Sequence, residues 1–299
     1  MSGYVVTILI TIAIYAILAH SLNIITGHAG QISLGHAAFF GIGAYTAALF
    51  YTKAGLSFWI DVPLAALVAG VVGAVLGIPC LRVRDDFLAI TTMGIGFVVE
   101  AVFLYIPFFG GAMGIGGIDL PMWAGREMTK SEYLILILVV LGTLYALDYI
   151  LGRSWIGLAW SSIREDEQAA SALGVDIVRF KVMAFILGSA LAGLAGAFYA
   201  HFLTFIMPYN FGFGQSIMIL CMVVFGGIGT RWGPIVGALL LGLLPEISRP
   251  IMEYRTLLYG LLLVAMMRFQ PSGLLGADSF LVVYFTKGLN RIRGGEVKA

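Results

Sequence analysis

The chain has 299 residues, of which 60% are hydrophobic and 11% charged, with a net charge of +1 and a mean hydropathy of +0.99. A soluble domain carries about 25% charged residues, so that class is excluded, and the near-neutral balance argues against nucleic acid as a partner. The 39 glycines follow no period, which excludes collagen. What remains is an all-α polytopic membrane protein, because within lipid each helix must satisfy its own backbone groups.

Spans of about 20 apolar residues are required to cross a bilayer. In chain order they are predicted near 4–25, 36–52, 60–80, 88–108, 132–152, 178–205, 214–228, 233–247 and 255–270. The second, seventh and eighth are short, so the count of nine extends to eight or ten. The first lacks a basic leader and a small-residue cleavage site, and reads as a retained span rather than a signal peptide.

Lys and Arg in the connections set orientation. With the loop 153–177 in the cytoplasm, Arg82, Arg84, Arg153, Arg164, Arg179, Lys181, Arg231, Arg268, Lys287, Arg291, Arg293 and Lys298 fall on that side. Lys53, Arg126, Lys130, Arg249 and Arg255 fall outside. Twelve against five predicts a periplasmic N-terminus and a cytoplasmic C-terminus. On this reading residues 1–277 form one transmembrane domain with a cytoplasmic loop at 153–180, and 278–299 form a cytoplasmic tail.

Between the first two spans lies G-H-A-G-Q-I-S-L-G-H-A-A-F-F-G-I-G-A-Y, residues 27–45. A second glycine-rich interruption, G-G-I-G-T-R-W-G-P-I-V-G-A at 226–238, separates spans seven and eight. Glycine-broken segments in both halves of a transporter mark a substrate path lined by irregular backbone; tight helix–helix turns are the other reading. Gln31, Ser33, His36, Gly226 and Gly227 are the path candidates in these segments, and Glu100 joins them as an acid near mid-span. Such a carboxylate serves either as a pathway or gating group or as a neutral or paired group that holds helices together.

The connection 109–131, with five glycines, suits a docking or gating surface and equally a flexible link. The sixth span carries Gly188, Ala192, Gly196 and Ala200 at four-residue spacing, a face built for close helix contact inside the chain or between subunits. For a single such stripe, contact inside the chain is the default.

The stretch S-S-I-R-E-D-E-Q-A-A-S-A-L-G-V-D-I-V-R-F-K, residues 161–181, is the long polar interruption with dense charge. Ser162 and Glu165 have capping-box spacing, which predicts a helix from Ile163. Gly174 is placed to end it, and Asp176 to cap the next helix from Ile177. A charged helix between two spans is built to dock on another protein.

Some chemistry is absent. There is no G-x-x-x-x-G-K-[ST], no H-E-x-x-H and no G-x-S-x-G, so neither nucleotide phosphates nor a covalent intermediate has a site, and no cofactor is expected. His20, His28 and His36 recur every eight residues, which on a helix is about 80° beyond two turns. They do not share a face, and hydrogen-bonded histidines are expected rather than a metal site. Cys80 and Cys221 stand alone in apolar surroundings and read as buried bystanders.

The block S-W-I-G-L-A-W-S-S-I-R-E-D-E-Q-A-A-S-A-L-G-V-D-I-V-R-F-K-V-M-A-F, with the A-L-A-G-L-A-G-A-F-Y-A that follows, strongly resembles the M-type permease subunit of ABC importers for branched-chain amino acids. The segments 27–45 and 226–238 and the late F-Q-P-S-G-L-L-G look like the same family, so the resemblance extends from the first span to about residue 276. A-A-S-A-L-G at 169–174 is similar to the E-A-A-x-x-x-G loop by which ABC permeases meet their ATPases. Gln168 stands where that pattern has Glu, and the later I-x-L-P is missing, so the loop is divergent.

The resemblance implies a permease half without ATPase activity of its own. It would work by alternating access beside a sibling permease, two ATP-binding subunits and a periplasmic binding protein, in a bacterial inner membrane. It also implies coupling contacts at Arg164, Glu165, Asp166, Glu167, Ala169, Ala170 and Gly174. Urea or a short amide is the alternative substrate class, since related permeases carry both. A secondary transporter driven by an ion gradient is the alternative mechanism.

Overall fold

The computed structural model describes residues 3–80, 85–123, 125–247, 255–270, 272–276 and 279. Arg82, Arg84, Arg249, Lys287, Arg291, Arg293 and Lys298, the side chains of Cys80 and Arg255, and all of the 278–299 tail but Ser279 lie outside the described residues.

Eleven α-helices are described: α1 Gly3–Leu22, α2 His36–Ala54, α3 Phe58–Cys80, α4 Asp85–Tyr105, α5 Lys130–Arg153, α6 Trp155–Glu165, α7 Glu167–Ala172, α8 Ile177–Leu203, α9 Phe213–Gly226, α10 Gly233–Ile247 and α11 Arg255–Phe269. Nine of them fall on the nine predicted spans; α6 and α7 make up the polar interruption. Among the described residues, six helical segments are long and apolar enough to cross a membrane. The chain is thus an all-α polytopic membrane protein.

Burial sorts the helices by role. The most apolar stretch of α1 is 72% buried, whereas those of α4 and α5 are 17% buried. Leu67, Val71, Val75 and Ile78 of α3 form an exposed apolar stripe, as do Leu257, Leu261 and Val264 of α11. Such faces suit a hydrocarbon surround, while α1, α2, α8 and α9 supply most of the buried core.

The small face of α8 serves neighbours in its own chain. A Cβ on Gly196 would collide with the Phe40 carbonyl oxygen of α2, and one on Gly193 would stand 2.8 Å from the Ala65 carbonyl oxygen of α3. On Gly188 it would meet the Ile25 side chain. These backbones touch because nothing larger than hydrogen separates them, so the stripe is an intramolecular crossing, as the default had it.

At the far end of α8 the connection 106–129 is folded back on the chain. Strand β1, Ile115–Gly116, pairs antiparallel with β4, Phe205–Ile206, and β2, Met122–Trp123, pairs with β3, Arg126–Glu127. Thr129 and Glu132 form a capping box that starts α5, and Arg126 makes an ion pair with Glu132. Here too lies an acid that the sequence reading missed. Asp61, in the first turn of α3, is fully buried, with its Oδ2 3.0 Å from Nε2 of the equally buried His201; the other ring nitrogen of His201 is 2.8 Å from the Asp119 carbonyl oxygen. Asp148, near the end of α5, is buried as well.

Substituting Gly196→Ala is expected to lower the stability of the detergent-purified chain by roughly 1–3 kcal/mol through overpacking. Gly142→Ala on α5, where a Cβ meets nothing within 4 Å, should leave the melting temperature unchanged or slightly raised.

Candidate functional site: the junction of two helix breaks

The first break follows α1. The α-helix passes into a π-helical turn, Asn23–His28, with the Ala29 amide donating to the Ile24 carbonyl at 3.2 Å. Single π-turns inside helices are uncommon and concentrate at functional positions. Residues 29–35 are irregular, and α2 begins at His36, so the glycine-rich run 36–45 is regular helix and only the first part of the predicted interruption is broken. The irregular stretch is fixed by side chains of other helices. The Leu34 amide donates to Thr92 Oγ1 of α4 at 3.0 Å, and the Ala37 amide donates to Ser216 Oγ of α9 at 3.1 Å.

The second break, residues 227–232, separates α9 from α10. It is held by the late F-Q-P-S-G-L-L-G segment: the Leu274 and Leu275 amides donate to the Phe225 and Gly226 carbonyls at 2.9 and 3.0 Å. Gly226 is buried and Gly227 has φ +119°, a conformation that L side chains rarely adopt.

The two breaks meet. Asn23 Oδ1 accepts from the Gly229 amide at 2.8 Å, and Asn23 Nδ2 donates to the Thr230 carbonyl at 3.1 Å. One amide side chain thus satisfies a donor and an acceptor that the broken helix has freed. A Cβ on Gly27 would lie 2.6 Å from the Gly229 nitrogen, so the backbones are in direct contact.

The charged block joins the same place, with a helix pattern unlike the predicted one. Ser162 does not cap a helix; it lies inside α6, which runs from Trp155 with Ser154 as its N-cap. The chain breaks at Asp166, whose Oδ1 accepts from the Gln168 and Ala169 amides at 2.8 and 3.0 Å and starts α7. Asp166 outcompetes Ser162 because its carboxylate accepts two orphan amides at a helix start. Gly174, at φ +88°, ends α7, and Asp176 caps α8 through the Arg179 amide at 3.1 Å, both as expected.

Of the coupling candidates, Glu165 and Ala169 are exposed, Glu167 makes an ion pair with Lys181, and Ala170 is buried. Arg164 is exposed as well, but its guanidinium reaches back to the first break. Its Nη1 donates to the Gly27 carbonyl at 2.6 Å, while its stem packs on Gly30. A small apolar cluster underlies it, in which Ile24 and Ala29 of the first break pack with Trp160, Ile163, Ala170 and Phe180 of the charged block.

The path candidates divide. His36 Nε2 is 2.7 Å from Ser21 Oγ, whose own proton goes to the Leu18 carbonyl, so Nε2 donates and Nδ1 carries the lone pair. That Nδ1, the Gln31 amide group and the Ser33 hydroxyl are buried and have no hydrogen-bond partner among the described residues. Glu100 is apart from them, against Gly212 at the start of α9. Along α4 it is eight residues, about 12 Å, from the Thr92 contact with the first break.

Of the three spaced histidines, His20 departs from expectation. His28 lies 3.2 Å from Asp148 Oδ1, but His20 makes no hydrogen bond among the described residues and packs against the Tyr145 ring at 4.6 Å. Asn23 and Asp148 were missed by sequence reading. Nothing in a lone Asn or in an acid near a span end announces a partner more than a hundred residues away.

Broken helices inside an apolar bundle, bound to a charged hairpin, define a polytopic membrane permease. The chain belongs to the family described as "Branched-chain amino acid transport system / permease component", whose model matches residues 4–267. It is 38% identical over 288 residues to the high-affinity branched-chain amino acid transport system permease protein LivM of Salmonella typhimurium, covering 88% of this chain and 68% of that one. The LivM protein of Escherichia coli is 37% identical over the same shares. The Escherichia coli permease protein LivH is 27% identical, covering 88% of this chain and 91% of LivH. No solved structure matches.

Asn23→Ala should strand the Gly229 amide and the Thr230 carbonyl and cost roughly 1–3 kcal/mol. The check is the melting temperature of the purified chain, in which Asn23→Asp, keeping the acceptor, falls between the variant and the wild type.

Proposed function

We propose that this chain is one permease half of an ATP-driven importer for branched-chain amino acids, working by alternating access in a bacterial inner membrane. Its assembly would contain a sibling permease, ATP-binding subunits that carry out the hydrolysis, and a periplasmic substrate-binding protein. The loop 153–180 and the tail 278–299 would face the cytoplasm and the N-terminus the periplasm, with residues 1–277 as the permease domain. The LivM and LivH names of the relatives support the substrate class and the existence of a sibling.

The observation that carries this reading is the two-faced hairpin α6–α7. Its tip presents Glu165, Gln168, Ala169 and Leu173 to the outside, and Leu173 is 84% exposed. Its inner face is bonded to the helix breaks. A surface with charge and one exposed leucine fits a protein partner better than water or lipid. An ATPase seated there would move what the inner face holds.

The substrate would pass beside the first break. Gln31, Ser33 and the Nδ1 of His36 offer acceptors and donors suited to a zwitterion's ammonium and carboxylate, while the apolar bundle suits an aliphatic side chain. Glu100 and the glycines Gly226 and Gly227 would line or hinge the path rather than hold the ligand.

In proteoliposomes holding the whole complex, leucine uptake should require ATP and the binding protein, and isoleucine and valine should compete with it. Competition by urea or short amides but not by leucine would overturn the substrate class. Uptake without ATP that collapses with an ion gradient would overturn the importer.

A further inference from the structure

Arg164 sits one residue before the charged tip of α6, where sequence similarity implies a contact with an ATPase. The residue is exposed, yet its guanidinium is bonded to its own chain. Nη1 donates to the Gly27 carbonyl at 2.6 Å, and a Cβ on Gly229 would be in collision with the same Nη1. Its Cα, Cβ and Cγ lie 3.2–3.3 Å from where a Cβ on Gly30 would be. Three glycines from two separate breaks are thus fitted to one side chain.

We infer that Arg164 is a positioning residue that clamps the two breaks together, and that displacement of α6–α7 releases this clamp during the transport cycle. The inference rests on the importer reading above and deepens it by moving Arg164 from the ATPase surface to the gate. The physical grounds are as follows. The Gly27 carbonyl belongs to a π-turn, whose amide bonding skips a residue relative to an α-helix and so leaves a carbonyl in need of an outside donor. A hydrogen bond from a charged donor is roughly twice as strong as a neutral one, so a single guanidinium decides whether the turn stays in place.

The clamp is mechanically continuous with the docking tip. Asp166, two residues on, caps α7, and the Glu167–Lys181 ion pair fixes α7 to α8. Ile24 of the π-turn and Ile163 beside Arg164 share one apolar cluster, so sideways motion of α6 drags the turn with it. Asn23 ties the turn to the second break, so both breaks follow one arginine.

The test uses the complete reconstituted complex and reads leucine transported per ATP hydrolysed. Arg164→Lys keeps the charge but presents a shorter-reaching point donor in place of the planar fork. It should hydrolyse ATP within about twofold of wild type while uptake falls about tenfold or more, a split that separates energy transduction from binding. The subunits should still co-purify, and the melting temperature should change little. A parallel fall of uptake and hydrolysis, or loss of the ATPase subunits, would make Arg164 a docking or structural residue and overturn the clamp. Full transport by Arg164→Lys and by Arg164→Ala would overturn it too.

A second readout needs no ATP. A thiol at Thr26→Cys, a position now buried, should label faster with a maleimide when Arg164→Ala is added, because the break is freed. Unchanged labelling would refute the clamp. If the wild-type complex itself shows no ATP-dependent uptake, it is the importer reading that fails, and the labelling result then decides whether the arginine holds the breaks at all.

Discussion

The structure depends on how backbone groups are satisfied where helices stop inside an apolar bundle. An unpaired amide or carbonyl there costs several kcal/mol in lipid, so a broken helix survives only where another element supplies partners. At the first break those partners are Thr92, Ser216 and Arg164; at the second they are Asn23 and the backbone of residues 274 and 275. Every one comes from a different segment of the chain. The irregular stretches are therefore points at which the bundle is most heavily cross-linked, and a change at one is felt at the other.

Much of the architecture was legible in the sequence because lipid imposes a local rule. Nine apolar stretches became nine helices, since a span of that length has no other way to bond its backbone. Gly174 and Asp176 were read correctly because their roles depend on residues within a few positions of them. Ser162 failed as a cap because helix α6 had already begun at Ser154, with Trp160 and Ile163 packed below it, and the next helix start fell to the carboxylate of Asp166.

The candidate site was less legible. Glycine enrichment located both breaks, but not that they touch. Asn23 and Arg164 act on backbone groups far along the chain, and a hydrogen bond to a carbonyl leaves no mark in the sequence of its acceptor. Asp61 carries no local sign of its pairing with His201, whose burial with it makes both part of the core. In each case the residue type was visible and its partner was not.

The welded contacts of α8 have a mechanical corollary. Glycine contacts bind it to α2 and α3 along much of its length, and the Asp61–His201 pair fastens the ends of α3 and α8 remote from the charged hairpin. These three helices form a stiff keel with no slack for sliding. A change of shape that left these contacts in place would carry the three helices as one body, its outline kept.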